Sequence, residues 1–282
     1  MRFFKRSSLI VYGDLELSLR VQFNIDKEMT ENGAGKCEVK IFNPSKEHLA
    51  EFESDTGEKL LTVYAGYDGI NKMLFTGKVL FAITEQSGPD IIVTCQMVPG
   101  QKALTGTYLK VENATTDGQI LQAVLNSLRT AGGVVKGHIS SAVMVALDAG
   151  KHSGFSDIGT TAKFLNLITK RHKLRWAIHN NELNIYSAGE YEAPEMIQVD
   201  AESGMIGIPS KTQTNQYKVR TLLNGDIVPG RRIRVESKVH PLKGDLKVIK
   251  VTHVGDTLEG DWYSDAEGLI IGKEPGFVLV NQ

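Results

Sequence analysis

The chain has 282 residues, with 32 Lys and Arg against 33 Asp and Glu, 23% charged residues and a formal net charge of −1. That balance carries no electrostatic footprint of a sequence-specific nucleic-acid binder, and the length allows two or three domains, each with its own core. No stretch approaches the roughly 20 apolar residues of a membrane span. The basic start, Met1 to Tyr12, loses its apolar run at Gly13-Asp14, short of a signal-peptide core. A chain that is neither exported nor inserted into a membrane is expected. Cys37 and Cys95 both fall in predicted strands and read as buried, reduced thiols, which fits folding in a reducing cytoplasm.

In chain order, Leu9 to Tyr12 and Leu15 to Ile25 read as strands about Gly13-Asp14, the second alternating Leu15, Leu17, Leu19, Val21, Phe23 and Ile25 with polar residues. Asp26 to Lys36 is polar. Its Gly33-Ala-Gly-Lys36 lacks the first glycine of a phosphate loop, since Thr30 stands there, and reads as a mobile hairpin tip. After Asn43-Pro44 a short helix is predicted over Ser45 to Phe52, and strands follow at Lys59 to Tyr64, Met73 to Thr84 and Asp90 to Met97.

From Thr105 the period changes. Thr116 and Gln119 have capping-box spacing, Ile120, Leu121, Val124, Leu125 and Leu128 share one helical face, and Gly132-Gly133 ends the run. A second helix is predicted from Ser156, as N-cap, to Lys170-Arg-His172, with Ile158, Ala162, Leu165 and Ile168 buried. A hairpin then turns at Asn180-Asn181, between Leu174, Trp176, Ile178 and Leu183, Ile185. Glu190 to Pro194 reads as a polar hinge. Beyond it come short strands with turns at Asn224-Gly225-Asp226, Pro229-Gly230 and Lys243-Gly244-Asp245. The tail, Phe277 to Val280, reads as a last apolar strand that pairs within its own barrel or, by strand addition, with a neighbour.

No catalytic or cofactor motif stands out. Gly154-Phe-Ser-Asp-Ile158 misses the last glycine of a nucleophile elbow. The histidines show no zinc spacing, and His253 with Asp256, Glu259 and Asp261 reads as a turn between strands. Paired carboxylates for sugar hydrolysis leave no spacing signature, so they stay open. No cofactor or metal is expected. Lys218, Arg220, Arg231, Arg232 and Arg234 gather among the C-terminal strands, either as a solvated face balanced by Glu236 and Asp226 or as a basic face for an acidic ring.

The N-terminal third repeats the order of the C-terminal one. Cys37 to Asn43 answers Val219 to Asn224, Gly57 to Tyr64 answers Gly230 to Val235, Phe75 to Val79 answers Gly244 to Val248, and Gly88 to Cys95 answers Gly260 to Tyr263. Shared order suggests two copies of one unit. On Val39-Lys-Ile-Phe-Asn-Pro, Val63-Tyr-Ala-Gly-Tyr-Asp, Leu74-Phe-Thr-Gly-Lys-Val, Gly204-Met-Ile-Gly-Ile-Pro-Ser and His253-Val-Gly-Asp-Thr with Asp261-Trp-Tyr, the chain resembles bacteriophage baseplate hub proteins.

The resemblance implies an α+β, mostly β fold: two related antiparallel β-barrel (tube) domains, residues 1–103 and 195–282, flanking a small α/β insertion domain, residues 104–194. It also implies a non-enzymatic homotrimer in the virion, joining a sixfold tail tube or tube-initiator protein to a threefold central spike among surrounding baseplate proteins. The expected partner surface comprises Lys218, Arg220, Arg231, Arg232 and Arg234, with Phe277 and Leu279. A tail-borne peptidoglycan-degrading enzyme and a single-barrel adaptor or tube initiator are the alternatives.

Overall fold

The computed structural model describes residues 5–29, 35–54, 59–100, 104–187, 189–213, 215–239 and 242–271. The glycine-rich segment about Gly33, the Asp55-Thr-Gly57 stop and the tail with Phe277 and Leu279 lie outside them. Strands β1 (Arg6–Tyr12) and β2 (Leu15–Leu17) form a hairpin. The alternating run after Gly13 makes two strands rather than one, because residues 18–20 carry the chain from β1 to a different partner and β3 (Val21–Glu28) starts there. The Arg20 carbonyl accepts from Phe42 N at 3.0 Å, which anchors that change of direction. β4 (Lys36–Phe42) leads into α1 (Lys46–Glu53), where Ser45 Oγ accepts from His48 N at 3.2 Å. Phe52 of α1 stacks on Tyr12 at 4.4 Å. β5 (Leu60–Tyr67), β6 (Ile70–Ser87) and β7 (Asp90–Met97) complete the first set.

The middle of the chain packs as a separate core around Leu121, Leu128, Phe164, Trp176 and Ile185. β8 (Tyr108–Thr116) forms a ribbon with β10 (Lys151–Thr160). Between them lie α2 (Asp117–Gly132), β9 (Val135–Ile139) and α3 (Ser141–Ala149); α4 (Thr161–Arg171) follows β10. Gly133 closes α2 at φ 67°, the left-handed conformation a helix end uses. The expected helix start at Ser156 is corrected. Ser156 lies in β10 with its Oγ accepting from Asn113 N at 2.9 Å, Ile158 is exposed, and Thr160 caps α4 through Lys163 N. β11 (Arg175–His179) and β12 (Glu182–Tyr186) make the predicted hairpin, with Asn180 and Asn181 at φ 53° and 63°. β12 also pairs in parallel with β9.

The Glu190–Pro194 region is a strand start rather than a hinge: β13 (Glu192–Val199) runs parallel to β16 (Arg231–Glu236). The ladder slips between Glu192 and Ile197, which leaves Pro194, lacking an N–H, outside the regular pairing. β14 (Met205–Gln213), β15 (Gln216–Leu222), β17 (Lys243–Asp256) and β18 (Trp262–Ile270) complete the second set around Val219, Ile233, Leu246 and Val251.

The two sets share one plan. The first orders its strands β3-β4-β7-β6 and the second β14-β15-β18-β17, with every neighbouring pair antiparallel. In each, the long strand serves two ladders: β6 pairs first with β5 and then β7, and β17 first with β16 and then β18. The fold is thus mostly β, with two related antiparallel units flanking an α/β insert. β17 also pairs with β3, from Lys250↔Glu28 to Asp256↔Gln22, so the sets fuse into one 13-stranded sheet.

Candidate assembly surface

The joint between the sets is fastened at one end by ions. Asp256 accepts from Arg20 at 2.9 Å and from Gln22 at 2.7 Å, while Arg6 donates to the carbonyls of Asp256 at 2.9 Å and Gly260 at 2.8 Å. Burial pushes the Asp256 carboxyl up, but the hydrogen bonds from Arg20, Leu258 N and Gln22 outweigh it and hold the pKa down at about 2. Val21 N donates to Thr257 Oγ1 at 2.9 Å and Thr257 N returns to Val21 O at 3.0 Å. Below this clasp, Trp262 meets Phe23 edge-on at 5.4 Å and Tyr67 at 6.4 Å, so a C-terminal side chain completes the N-terminal core.

Directly paired residues of an antiparallel ladder point to the same face. One face therefore runs unbroken across the sheet, from Ile206 through Arg220, Asp265, Thr252 and Asp26, then Asn24, Glu38, Gln96 and Phe81. The opposite face carries Ile25, Val39, Cys95, Val251 and Ala266, all buried; both cysteines are free thiols.

The expected basic surface divides. Arg220 forks onto Asp265 at 2.7 and 2.8 Å, and Lys218 joins the same carboxylate at 3.0 Å. On the other ladder Arg234 forks onto Asp245 at 2.7 and 3.0 Å, and Arg232 lies 3.7 Å from Asp245 and 5.0 Å over the Tyr191 ring. Arg231 has the parity of the buried Ile233 and Val235 and lines a separate cleft with Asn180, Lys72 and Asp226. One aspartate thus balances each pair. The exposed Arg234–Asp245 pair sets local geometry more than stability, whereas Asp265 is buried beneath its two cations. His253 stands apart from Asp256: it is buried, with Nδ1 2.8 Å from Ser264 Oγ, and Asp256 N–H closes the predicted turn on Asp261 O at 2.9 Å.

Sequence reasoning missed two open edges of the sheet. Residues 79–87 of β6 pair only with β7, and β14 pairs only with β15, among the described residues. Both carry exposed apolar side chains: Phe81 (45%) and Ile83 (52%) on β6, Ile206 (40%) and Ile208 (58%) on β14. Open edges of this kind invite another strand. The signal available was the unbroken apolar run Leu80-Phe81-Ala82-Ile83, which looks like core from sequence.

Two buried charges also escaped notice. Lys27 is 1% exposed and donates to Asn180 Oδ1 at 3.4 Å, where β3 meets the insert hairpin; burial lowers its pKa to about 7. Asp117, at the first turn of α2, accepts from Arg171 at 2.5 Å and lies 2.9 Å from His152 Nε2 and 2.7 Å from His172 Nε2. Burial raises its pKa, yet these hydrogen bonds prevail and hold it below the usual value. No group of His, Cys, Asp or Glu among the described residues has metal-site geometry, and no described helix is long and apolar enough to cross a membrane.

No protein-family model matches the chain, and no curated protein matches it by sequence. Solved structures do. A tail protein from Neisseria meningitidis aligns with a TM-score of 0.66 at 11% identity, covering 94% of this chain and 97% of that one. A 43 kDa tail protein of prophage MuSo2 from Shewanella oneidensis aligns with 0.66 at 10%, covering 94% and 98%. A component of the type VI secretion system of E. coli, described as similar in structure to the T4 bacteriophage tail proteins gp27 and gp5, aligns with 0.65 at 10%, covering 90% and 74%. The fold is that of these phage-type tail proteins.

Proposed function

We propose that this chain is the structural hub of a tail baseplate, acting as a homotrimer in the virion after synthesis in the host cytoplasm. One observation carries the reading: a single chain holds the same strand plan twice, fused in one sheet through β17 and β3. Three such chains offer six similar units to a sixfold tail tube or tube-initiator protein while remaining threefold toward a central spike. A closed ring needs only one repeated head-to-tail contact to do this. The matching tail-protein folds support the placement.

In this reading residues 1–103 and 195–282 are the tube domains and residues 104–194 the insertion domain, which faces the surrounding baseplate proteins. The part is mechanical rather than enzymatic. Lys218, Arg220, Arg232 and Arg234 serve in it as ordered polar contacts to a tube or spike partner, with Arg231 contributing from its separate cleft and Phe277 and Leu279 from the tail. Mass measurement of the protein in solution and in the assembled particle tests the reading. Three copies per ring are expected, with no loss of turbidity when the purified protein meets peptidoglycan; a count not divisible by three would end it.

A further inference from the structure

The insert sits on the 13-stranded sheet without a ladder. Its strands form small sheets of their own, and among the described residues none pairs with a strand of either set. What joins it to the sheet is a small seat, apart from the three larger cores, where Met29 packs with Ala177 and Tyr186 of the β11–β12 hairpin. Gly230 lies flat on the Tyr186 ring, where any side chain would collide. Tyr186 Oη donates to the Pro229 carbonyl at 3.4 Å, Lys27 Nζ to Asn180 Oδ1 at 3.4 Å and Lys247 Nζ to the Ser187 carbonyl at 2.9 Å. His179, 4% exposed, is part of this seat, with Nε2 3.5 Å from Tyr186 Oη. We propose that His179 is the catch of a proton-operated arm: when neutral it lets the insert dock, and when protonated it releases the insert from the sheet.

The seat has no place for another positive charge. The charges that face His179 are both cations, Lys27 from β3 and Arg231 from the start of β16. Lys247 of β17 adds a third, 5.6 Å from the Tyr186 ring. Cys37 of β4 and His253 of β17 face Lys27, and His253 is fixed within the sheet by Ser264. Two carboxylates at the margin are engaged elsewhere: Asp226, in the cleft beside Arg231 and Asn180, by Lys72, and Glu190 by His138, which stacks on Tyr186 at 5.3 Å. Burial and the two cations lower the folded pKa of His179 to about 3, and a hydrogen bond to Pro229 offsets only part of that. An undocked His179 regains the ordinary value near 6.5. Below about 6.5 the open form therefore binds one proton more than the closed form, and opening grows about tenfold per pH unit down to about pH 3. Lys27, with a folded pKa of about 7, is charged over nearly all of this window, so it sets how weak the seat is rather than how the seat responds.

Spin labels attached at pH 8 to the full chain carrying Val145→Cys on the insert and Leu258→Cys beside β17, both exposed positions, report the distance between insert and sheet; Cys37 and Cys95 are buried. Labelled chains are diluted with unlabelled ones, so that only distances within a chain are read. The ratio of open to closed chains should rise about a hundredfold between pH 6.5 and 4.5, while circular dichroism stays native. His179→Asn, which cannot titrate, should hold the distance constant over that range. Lys27→Met should move the rise at least one pH unit lower, because the seat then starts without its buried cation. An unchanged distance in the parent chain, a His179→Asn chain that opens as before, or opening that coincides with loss of circular dichroism overturns the proposal. Should His179→Asn fail to fold, a rise left in place by Lys27→Met overturns it as well.

Discussion

Lys27 shows how one side chain can cost stability at neutral pH and still be held in place. Its amine is buried beside Asn180 and faces Cys37 on β4, His179 on β11 and His253 on β17, whose pKa values are displaced by the same burial. The folded pKa of about 7 lies well below the ordinary lysine value. A base depressed in this way contributes no penalty above pH ~10.4, where both states are neutral. The penalty grows as pH falls and is complete below about 7. Lys27→Met should therefore raise stability by about 2 kcal/mol or more at pH 7 and by nearly nothing at pH 10.5, at about 1.4 kcal/mol per pK unit. Urea unfolding at the two pH values checks this; an equal gain at both would contradict it.

Asp117 has the opposite sign. Its lowered carboxyl contributes stability above its unfolded pKa, and that contribution is lost as pH falls through the folded value. Asp117→Asn removes the charge that gathers Arg171, His152 and His172. It should cost the insert about 2 kcal/mol or more at pH 7, the scale of a broken buried pair, and the difference should close in acid. Trp176 reports the insert core, so its fluorescence in a Trp262→Phe background is the measurement.

At the scale of elements, Gly255 controls the joint. It lies in β17 opposite Phe23, and a side chain there would run into Phe23 and Trp262. Gly255→Val should cost about 1–3 kcal/mol by overpacking and loosen the contact of the two sets before the insert, seen as an earlier Trp262 transition. The strand order of both sets was readable because alternation and glycine turns are local signals, and the asparagine turn at 180–181 because its residue types tolerate positive φ. Three features were not readable. α3 is 9 residues long and rich in Val and Ala, too short and too evenly apolar for a helical period to emerge. Gly154-Phe-Ser-Asp resembles a capped helix start but pairs with β8, because tertiary pairing overrides a single capping residue. The open edges of β6 and β14 look like any core strand, since exposure depends on which neighbours are present.

At the scale of the whole molecule, contacts differ greatly in their sequence separation. Trp176 bonds to Asn166, only 10 residues away, whereas Arg6 reaches Gly260 across 254. Distant contacts close late. On refolding, a Trp262→Phe chain, which follows Trp176, should recover its signal faster than a Trp176→Phe chain, which follows Trp262; stopped-flow fluorescence decides the order, and equal rates would show the insert waiting for the sheet.

The ladder between β17 and β3 has one more effect. In the three-copy ring proposed above, every second seam would lie inside a polypeptide, as the β17–β3 ladder does, and would be held at the high effective concentration of a tether, whatever the dilution. Only the alternate seams would depend on encounters between molecules. Under that proposal the ring would come apart by shedding whole two-unit pieces, so that a sixfold surface could be disassembled and rebuilt in three moves.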